Sequence, residues 1–232
     1  MTVSEVLDSS RTPDGKHMIL MREGDALTIF VEERLLMSSR LHGSEDALAE
    51  VGCEHLVGRR ARGRRRATAR VLVGGLGLGY TLRRALDLLG ERDVVEVAEL
   101  MPAIVRWHRE GPLGALAGRP LDDPRSVVVL GDLGAHLRAV EEESYDAMLL
   151  DVDNGPEALS SRANRWLYGT EGLARIAGLL APRGRVVFWS AFEDRAFAGR
   201  LAASGLDTRI VRVGQADRRD RQKHVLFVGA RP

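Results

Sequence analysis

The chain has 232 residues, of which 44% are hydrophobic, 29% charged and 5% aromatic. This size suits one α/β domain with a small annex, and the apolar content excludes a disordered chain, while the single cysteine, Cys53, excludes an internal disulfide. The 34 Lys and Arg against 33 Asp and Glu give a formal net charge of +1, which argues against a chain built to neutralise the phosphates of a nucleic acid.

The first part of the chain predicts a small β-hairpin module. Residues 17–22 and 26–32 have strand-like composition around a Glu-Gly-Asp turn, and a third short strand is predicted at 34–38. Apolar residues at helical spacing after Ser44 then predict an amphipathic helix. We therefore assign residues 1–58 to an N-terminal module of hairpin and helix.

An arginine-rich stretch follows this module. Seven of the twelve residues 59–70 are arginine, but the run carries no aromatic residues and is interrupted by glycine. A solvated linker over residues 59–69 is the favoured interpretation, and an anion- or RNA-binding segment is the alternative.

Residues 70–232 alternate short apolar strands with helical patterns. This alternation predicts a mostly parallel sheet with helices on both faces. Two late β-like runs with little helical pattern between them predict a terminal antiparallel pair. The predicted fold class is α/β: a Rossmann-like, methyltransferase-type, mostly parallel seven-stranded sheet with the small N-terminal β-hairpin annex. The predicted strands of this sheet are 71–73, 94–98, 127–130, 147–150, 186–189, 208–213 and 224–228.

A glycine-rich loop gives the strongest functional signal. In VLVGGLGLGYTLRRAL, a buried strand leads into a loop from which a helix starts at once. Glycines there permit a tight turn and the close approach of a ligand to bare backbone. The candidate ligand-binding glycines are Gly74, Gly75, Gly77 and Gly79.

Acidic residues follow the next two strands. Glu99 ends the second strand, where a carboxylate can accept both hydroxyls of a ribose. Asp132 follows the third strand with Leu133 beside it, where it can contact the amino group of an adenine or cap the next helix. The three strand-end features predict a nucleoside pocket that suits an adenosyl sulfonium better than a dinucleotide.

The end of the fourth strand carries the candidate catalytic groups. Asp151 is the first choice to orient or deprotonate an acceptor, and Asp153 is the second, although Asp153 also suits an Asx-turn. Asn154 is assigned to substrate binding. Trp166 and Tyr168 either line an acceptor pocket or pack in the core. The histidines show no metal-ligand spacing, so no metal site is predicted.

Taken together, these motifs resemble the spermidine synthase family of aminopropyltransferases. The resemblance runs from about Leu27 to the end of the chain and is carried by the glycine loop, VAEL, GDL and YDAMLLDVDNGPEAL. It implies a donor of decarboxylated S-adenosylmethionine, a diamine acceptor, Asp151 as the first catalytic aspartate and a dimer. Several departures bear on substrates. The family's loop aspartate corresponds to Gly77, its hairpin glutamine to Met37, and the Tyr-His-Glu that helps to bind the polyamine to Ser44-Glu45-Asp46, and the catalytic loop is about two residues shorter.

Three functions therefore stay open. The first is methyl transfer from S-adenosylmethionine to a small acceptor, because a loop without an aspartate does not repel the donor's carboxylate. The second is aminopropyl transfer to an amine, with an acceptor site rebuilt around Glu45, Asp46, Asp151 and Asp153. The third is a nucleoside-binding module that recognises a partner through its arginine-rich linker. We expect a cytoplasmic homodimer acting on a small molecule, with no membrane partner and no nucleic-acid partner.

Overall fold

The computed structural model describes residues 4–57, 68–152, 164–214 and 223–232. Its N-terminal part is a four-stranded antiparallel sheet in the order β1-β2-β3-β4. The strands are β1 (Ser4–Arg11), β2 (His17–Glu23), β3 (Ala26–Val31) and β4 (Arg34–Ser38). The sequence predicted the last three strands but not β1, whose side chains are mostly exposed and polar and carry no apolar alternation. The annex is thus larger than a hairpin.

The main sheet has seven strands in the order β10-β11-β9-β8-β5-β6-β7. Its strands β5 to β9 pair in parallel, and β11 lies antiparallel between β9 and β10. This is the predicted parallel sheet closed by an antiparallel pair. The strands are β5 (Arg70–Gly74), β6 (Val94–Glu99), β7 (Ser126–Leu130), β8 (Tyr145–Leu150), β9 (Leu180–Ser190), β10 (Asp207–Gly214) and β11 (Lys223–Ala230).

Helices cover both faces of this sheet and create two apolar layers. On one face lie α1 (Gly43–Cys53), α2 (Tyr80–Leu88), α3 (Pro102–Arg109) and the short α4 (Leu113–Leu116). On the other face lie α5 (Leu133–Ala139), α6 (Thr170–Leu179) and α7 (Arg195–Ala203). The first layer also contains Leu20 and Ile29 of the N-terminal sheet, so the two sheets share one core.

Two boundaries differ from the predicted ones. The prediction placed a helix stop at Pro182-Arg183-Gly184, but α6 ends at Leu179 and β9 already starts at Leu180. The strand accommodates the proline-containing segment through an irregular register with β8 and a left-handed Arg183 at φ 63°.

Residues 59–67 of the predicted linker lie outside the described residues. In the described part of the chain, no helix combines the length and apolar character needed to cross a membrane.

A buried charged cluster lies under α5. Glu96 of β6 is only 6% exposed, and its carboxylate accepts hydrogen bonds from Arg70 Nε (2.5 Å) and the Tyr145 hydroxyl (2.8 Å). His136 Nε2 lies 3.4 Å from the same carboxylate. Burial alone would raise the pKa of Glu96, but the hydrogen bonds from His136, Tyr145 and Arg70 outweigh it and lower the pKa to about 2.

Replacing Glu96 is expected to reduce stability in a pH-dependent way. The Glu96→Gln variant leaves Arg70 and Tyr145 without their charged partner. The expected loss of unfolding free energy is about 2–3 kcal/mol, and it is no larger because water partly solvates Arg70. Since the pKa of Glu96 in the folded chain lies below its ordinary 4.5, this loss is complete above pH 4.5 and disappears as the pH falls to about 2. Urea unfolding across this pH range measures the effect. Glu50→Gln, which breaks the exposed pair with Arg84, is the control and should change stability by no more than about 0.5 kcal/mol.

Candidate functional site

The predicted site residues lie at the carboxyl edge of the parallel strands. Backbone hydrogen bonds connect the strand ends laterally: the Gly75 N–H donates to the Ala98 carbonyl (2.8 Å), and the Asp151 N–H donates to the Gly74 carbonyl (3.0 Å). The Gly131 N–H donates to the Glu99 carbonyl (2.9 Å). The ends of β8, β5, β6 and β7 are therefore held side by side, in the row where ligands of open α/β sheets bind.

The glycine loop needs its glycines for two different reasons. Gly75, Gly77 and Gly79 have φ values of 92°, 50° and 87°, which side chains disfavour. A Cβ on Gly75 would also lie 2.5 Å from the backbone oxygen of Asp151, so no side chain fits there. At Gly77, a Cβ would lie 2.8 Å from the Met37 sulfur. The thioether of Met37, which comes from β4, therefore takes the space that a side chain at position 77 would need.

The lower part of the loop is tightly packed. Gly74 ends β5, and a Cβ there would lie 2.8 Å from Leu133 Cδ2. Leu133 is itself only 5% exposed. The structure therefore places Leu133 beneath the loop, next to the predicted ligand-binding glycines. Whether Leu133 contacts a ligand stays a prediction.

Glu99 holds the glycine loop in place through a hydrogen bond to the loop's backbone. Its Oε2 accepts a hydrogen bond from the Leu76 N–H (2.9 Å) and its Oε1 accepts one from the Met101 N–H (2.7 Å). Burial raises the pKa of this carboxyl, while backbone N–H donors that include Met101, Leu76 and Gly77 act in the opposite direction. Glu99 is thus placed between the loop and the end of β6, the position predicted for a ribose-binding acid.

Asp132 caps α5, which is one of its two predicted roles. Its Oδ1 accepts a hydrogen bond from the Ala135 N–H at 2.7 Å. The side chain is 29% exposed, and Arg138 lies 3.9 Å away. The cap uses only one of the two carboxylate oxygens. Contact with an adenine stays a prediction.

The candidate catalytic residues are only partly described. Asp151 follows β8 directly and lines the same depression as the glycine loop. Asp153 and Asn154 lie outside the described residues, so the structure gives no position for either. The structure therefore brings one predicted catalytic carboxylate to the loop, and the assignment of Asp153 and Asn154 stays a prediction.

The two aromatic residues lie away from the loop. Tyr168 is 4% exposed and packs in the core, with its ring 5.8 Å from Phe188 and 5.5 Å from Phe197. Trp166 is half-buried beneath Arg138, whose guanidinium lies 4.5 Å from the ring centroid. Both arrangements agree with the packing alternative, and an acceptor-binding role for either residue stays a prediction.

A small depression adjoins the loop and is lined by residues of several elements. Met37 and Glu45 reach it from the N-terminal part of the chain, and Tyr80 and Thr81 from the start of α2. Tyr80 stacks on His42 with ring centroids 4.1 Å apart. Since the N-terminal part and the loop are distant in sequence, no local pattern predicts their contact.

Two exposed leucines extend this edge towards β7. Leu100 follows β6 and is 40% exposed, and Leu130 ends β7 and is 56% exposed. Leu100 directly follows Glu99 in the chain, and Leu130 precedes Asp132 by two residues. An apolar residue within two positions of a strand-end acid is the only sequence pattern that marks them, and such a residue cannot be told from a core position by sequence alone.

The histidines form separate contacts. His42 Nδ1 lies 2.8 Å from Asp46, His55 Nε2 lies 3.1 Å from the Asp146 carbonyl, and His108 Nε2 lies 2.9 Å from the Gly77 carbonyl. In the described ranges, no group of three or more His, Cys, Asp or Glu residues is arranged to hold a metal ion. Cys53 is buried, and burial raises the pKa of its thiol to about 12, which fits a packing role.

No family model matches the chain. Among solved structures, a spermidine synthase from Thermotoga maritima superposes with a TM-score of 0.74 at 16% identity, covering 98% of this chain and 72% of the other. A spermidine synthase in complex with the transition-state analogue AdoDATO gives a TM-score of 0.73 at 15% identity and the same coverage. A Burkholderia thailandensis 1,6-didemethyltoxoflavin-N1-methyltransferase with bound S-adenosylhomocysteine gives 0.53 at 18% identity, covering 82% of this chain and 79% of the other. The chain therefore has the fold that spermidine synthases and methyltransferases of this type share.

Proposed function

We propose that the protein is a transferase that uses an adenosyl sulfonium donor, and that the reaction is methyl transfer from S-adenosylmethionine to a small acceptor. The observation that carries the proposal is the row of strand ends at one edge of the sheet: the bare-backbone loop after β5, Glu99 after β6 and Asp132 after β7. The fold shared with spermidine synthases and a methyltransferase supports the same class of donor.

The residues of this edge fit an adenosyl ligand. Glu99 presents a carboxylate that is already ordered by backbone N–H groups and can accept hydrogen bonds from ribose hydroxyls. Leu100 and Leu130 provide exposed apolar side chains beside the two acids, which suits the faces of an adenine ring. With the adenine towards β7 and the ribose at Glu99, the remainder of the donor extends across the glycine loop towards Asp151.

The loop itself favours a donor that keeps its carboxylate. Position 77 has no side chain, and the neutral thioether of Met37 fills the space above it. The first turn of α2 contains no acidic residue, so the positive end of the helix dipole is uncompensated beside the loop. A carboxylate is stabilised in such a place, whereas an ammonium group meets no counter-charge from the loop.

Aminopropyl transfer is the second candidate, and the acidic wall of the depression favours it. Glu45 and Asp151 both line the space in front of the loop. Two carboxylates there suit an amine acceptor, and in this candidate Asp151 orients the acceptor or takes its proton. An amine acceptor is compatible with either donor, since a methyl group can also be transferred to nitrogen. The sulfonium supplies the electrophilic carbon in both reactions, and the protein's part is to align the two partners.

Side-by-side titration calorimetry with S-adenosylmethionine and its decarboxylated analogue distinguishes the candidates. Methyl transfer predicts at least about tenfold tighter binding of the intact donor, equivalent to about 1.4 kcal/mol. Tighter binding of the decarboxylated donor would establish aminopropyl transfer as the better proposal. Binding of neither donor, and of neither product nucleoside, would contradict the proposed nucleoside pocket and favour a role in binding a partner.

A further inference from the structure

His108 is a buried polar residue for which the reaction as described has no role. It lies on α3, is 3% exposed, and places Nε2 2.9 Å from the carbonyl oxygen of Gly77. A carbonyl only accepts, so Nε2 carries the proton and donates it. Burial lowers the pKa of His108, which favours the neutral ring. No described residue is a hydrogen-bond partner of Nδ1.

This hydrogen bond determines the orientation of one peptide group in the loop. All described peptide bonds are trans, so the carbonyl of Gly77 and the N–H of Leu78 point in opposite directions. Since His108 holds the carbonyl on the α3 side, the Leu78 N–H points away from α3. Leu78 lines the depression, and no described residue accepts a hydrogen bond from its N–H.

Other contacts within the chain hold the peptide groups on either side of the Gly77–Leu78 peptide. The N–H of Leu76 donates to the carboxylate of Glu99 at 2.9 Å, and the N–H of Gly79 donates to the carbonyl of Leu76 at 2.8 Å. The His108 ring also packs against the loop, because a Cβ on Gly79 would lie 2.7 Å from its Cε1. The N–H groups of Leu76 and Gly79 are therefore paired within the chain, whereas the N–H of Leu78 has no acceptor among the described residues.

We propose that His108 is a positioning residue that locks the Gly77–Leu78 peptide and thereby aims the Leu78 N–H at the carboxylate of the donor's amino-acid tail. This inference rests on the proposed function. The loop binds the tail of the donor through this N–H, whereas Glu99 and Asp132 bind the adenosine elsewhere on the edge.

The test compares two ligands that differ in that tail. S-adenosylhomocysteine carries the carboxylate, and 5′-methylthioadenosine has the same nucleoside and sulfur without it. We expect His108→Leu to bind S-adenosylhomocysteine about tenfold weaker or more, because a hydrogen bond to a charged group is lost, and to bind 5′-methylthioadenosine unchanged. His108→Gln keeps an N–H donor near the position of Nε2 and should restore most of the affinity. His108→Asn, whose amide is one methylene shorter, should not.

His55→Leu is the matched control. His55 makes the same imidazole-to-carbonyl contact with Asp146 at the opposite edge of the sheet, so its loss should reduce stability without changing either affinity. Equal affinity of His108→Leu and the unsubstituted chain for S-adenosylhomocysteine would overturn the inference, as would equal losses for both ligands. If His108→Leu does not fold, equal binding by the Gln and Asn variants would overturn it. If the unsubstituted chain binds neither ligand, the proposed function itself fails.

Discussion

The Glu99→Gln variant is expected to lose about 100-fold or more in affinity for S-adenosylhomocysteine while it still folds. Both oxygens of Glu99 accept backbone N–H groups, from Met101 and from Leu76. A glutamine keeps one acceptor and turns an NH₂ group towards one of these donors, which costs about 1–3 kcal/mol of stability and displaces the loop. The charged acceptor for the ribose hydroxyls is lost at the same time, so two effects add in the binding free energy. Calorimetry measures the affinity, and urea unfolding measures the stability.

Glu96→Gln provides the comparison for this result. Glu96 lies on the same strand three residues earlier and is similarly buried, but it faces the cluster beneath α5 rather than the strand edge. The Glu96→Gln variant should be less stable than the unsubstituted chain but bind the nucleoside with unchanged affinity. If Glu99→Gln binds S-adenosylhomocysteine as tightly as the unsubstituted chain does, Glu99 is only a structural brace and the ribose assignment is wrong.

The second large effect is expected for the double variant Gly77→Asp/Met37→Ala. The alanine removes the thioether that lies 2.8 Å from the site of the new Cβ. Aspartate is among the residues that tolerate the φ of 50° at position 77. A carboxylate then faces the donor's tail. It should weaken binding of S-adenosylmethionine at least about tenfold and strengthen binding of the decarboxylated donor by a similar factor, because the tail's ammonium gains a counter-charge.

Met37→Ala alone is the control, and it should leave the order of the two donors unchanged. The prediction concerns the ratio of the two affinities, so a general loss of stability does not imitate it. An unchanged ratio in the double variant would show that the donor's tail does not pass over position 77.

The sequence predicts those parts of the fold that have a recognisable local pattern of apolar residues or glycines. The strands β5, β6 and β8 are buried on both faces and appear as apolar runs, and α2 begins directly after the glycines. β1 has no such pattern, because it is an edge strand whose polar side chains face solvent and whose pairing with β2 depends on the backbone. The helix α7 between β9 and β10 is equally weak in sequence, since its buried residues are essentially Phe197 and Leu201.

The same distinction holds for the site. The glycine loop, Glu99, Asp132 and Asp151 all follow strand ends, so the parallel topology suffices to bring them together. Met37, Glu45 and His108 reach the loop from β4, α1 and α3, and their contacts depend on how those elements pack. The spacing of residues in the sequence does not predict how those elements pack. The identity of the side chain over Gly77 and the orientation of the Leu78 N–H therefore come from the structure alone.

The central claim is that the strand edge binds an adenosyl ligand, and a crystal structure with S-adenosylhomocysteine tests it most directly. The account predicts the ribose hydroxyls at Glu99, the adenine between Leu100 and Leu130 near Asp132, and the tail carboxylate at the Leu78 N–H with Met37 above it. Binding of the nucleoside at any other place on the molecule, or an amino-acid tail directed away from Gly77, would contradict it.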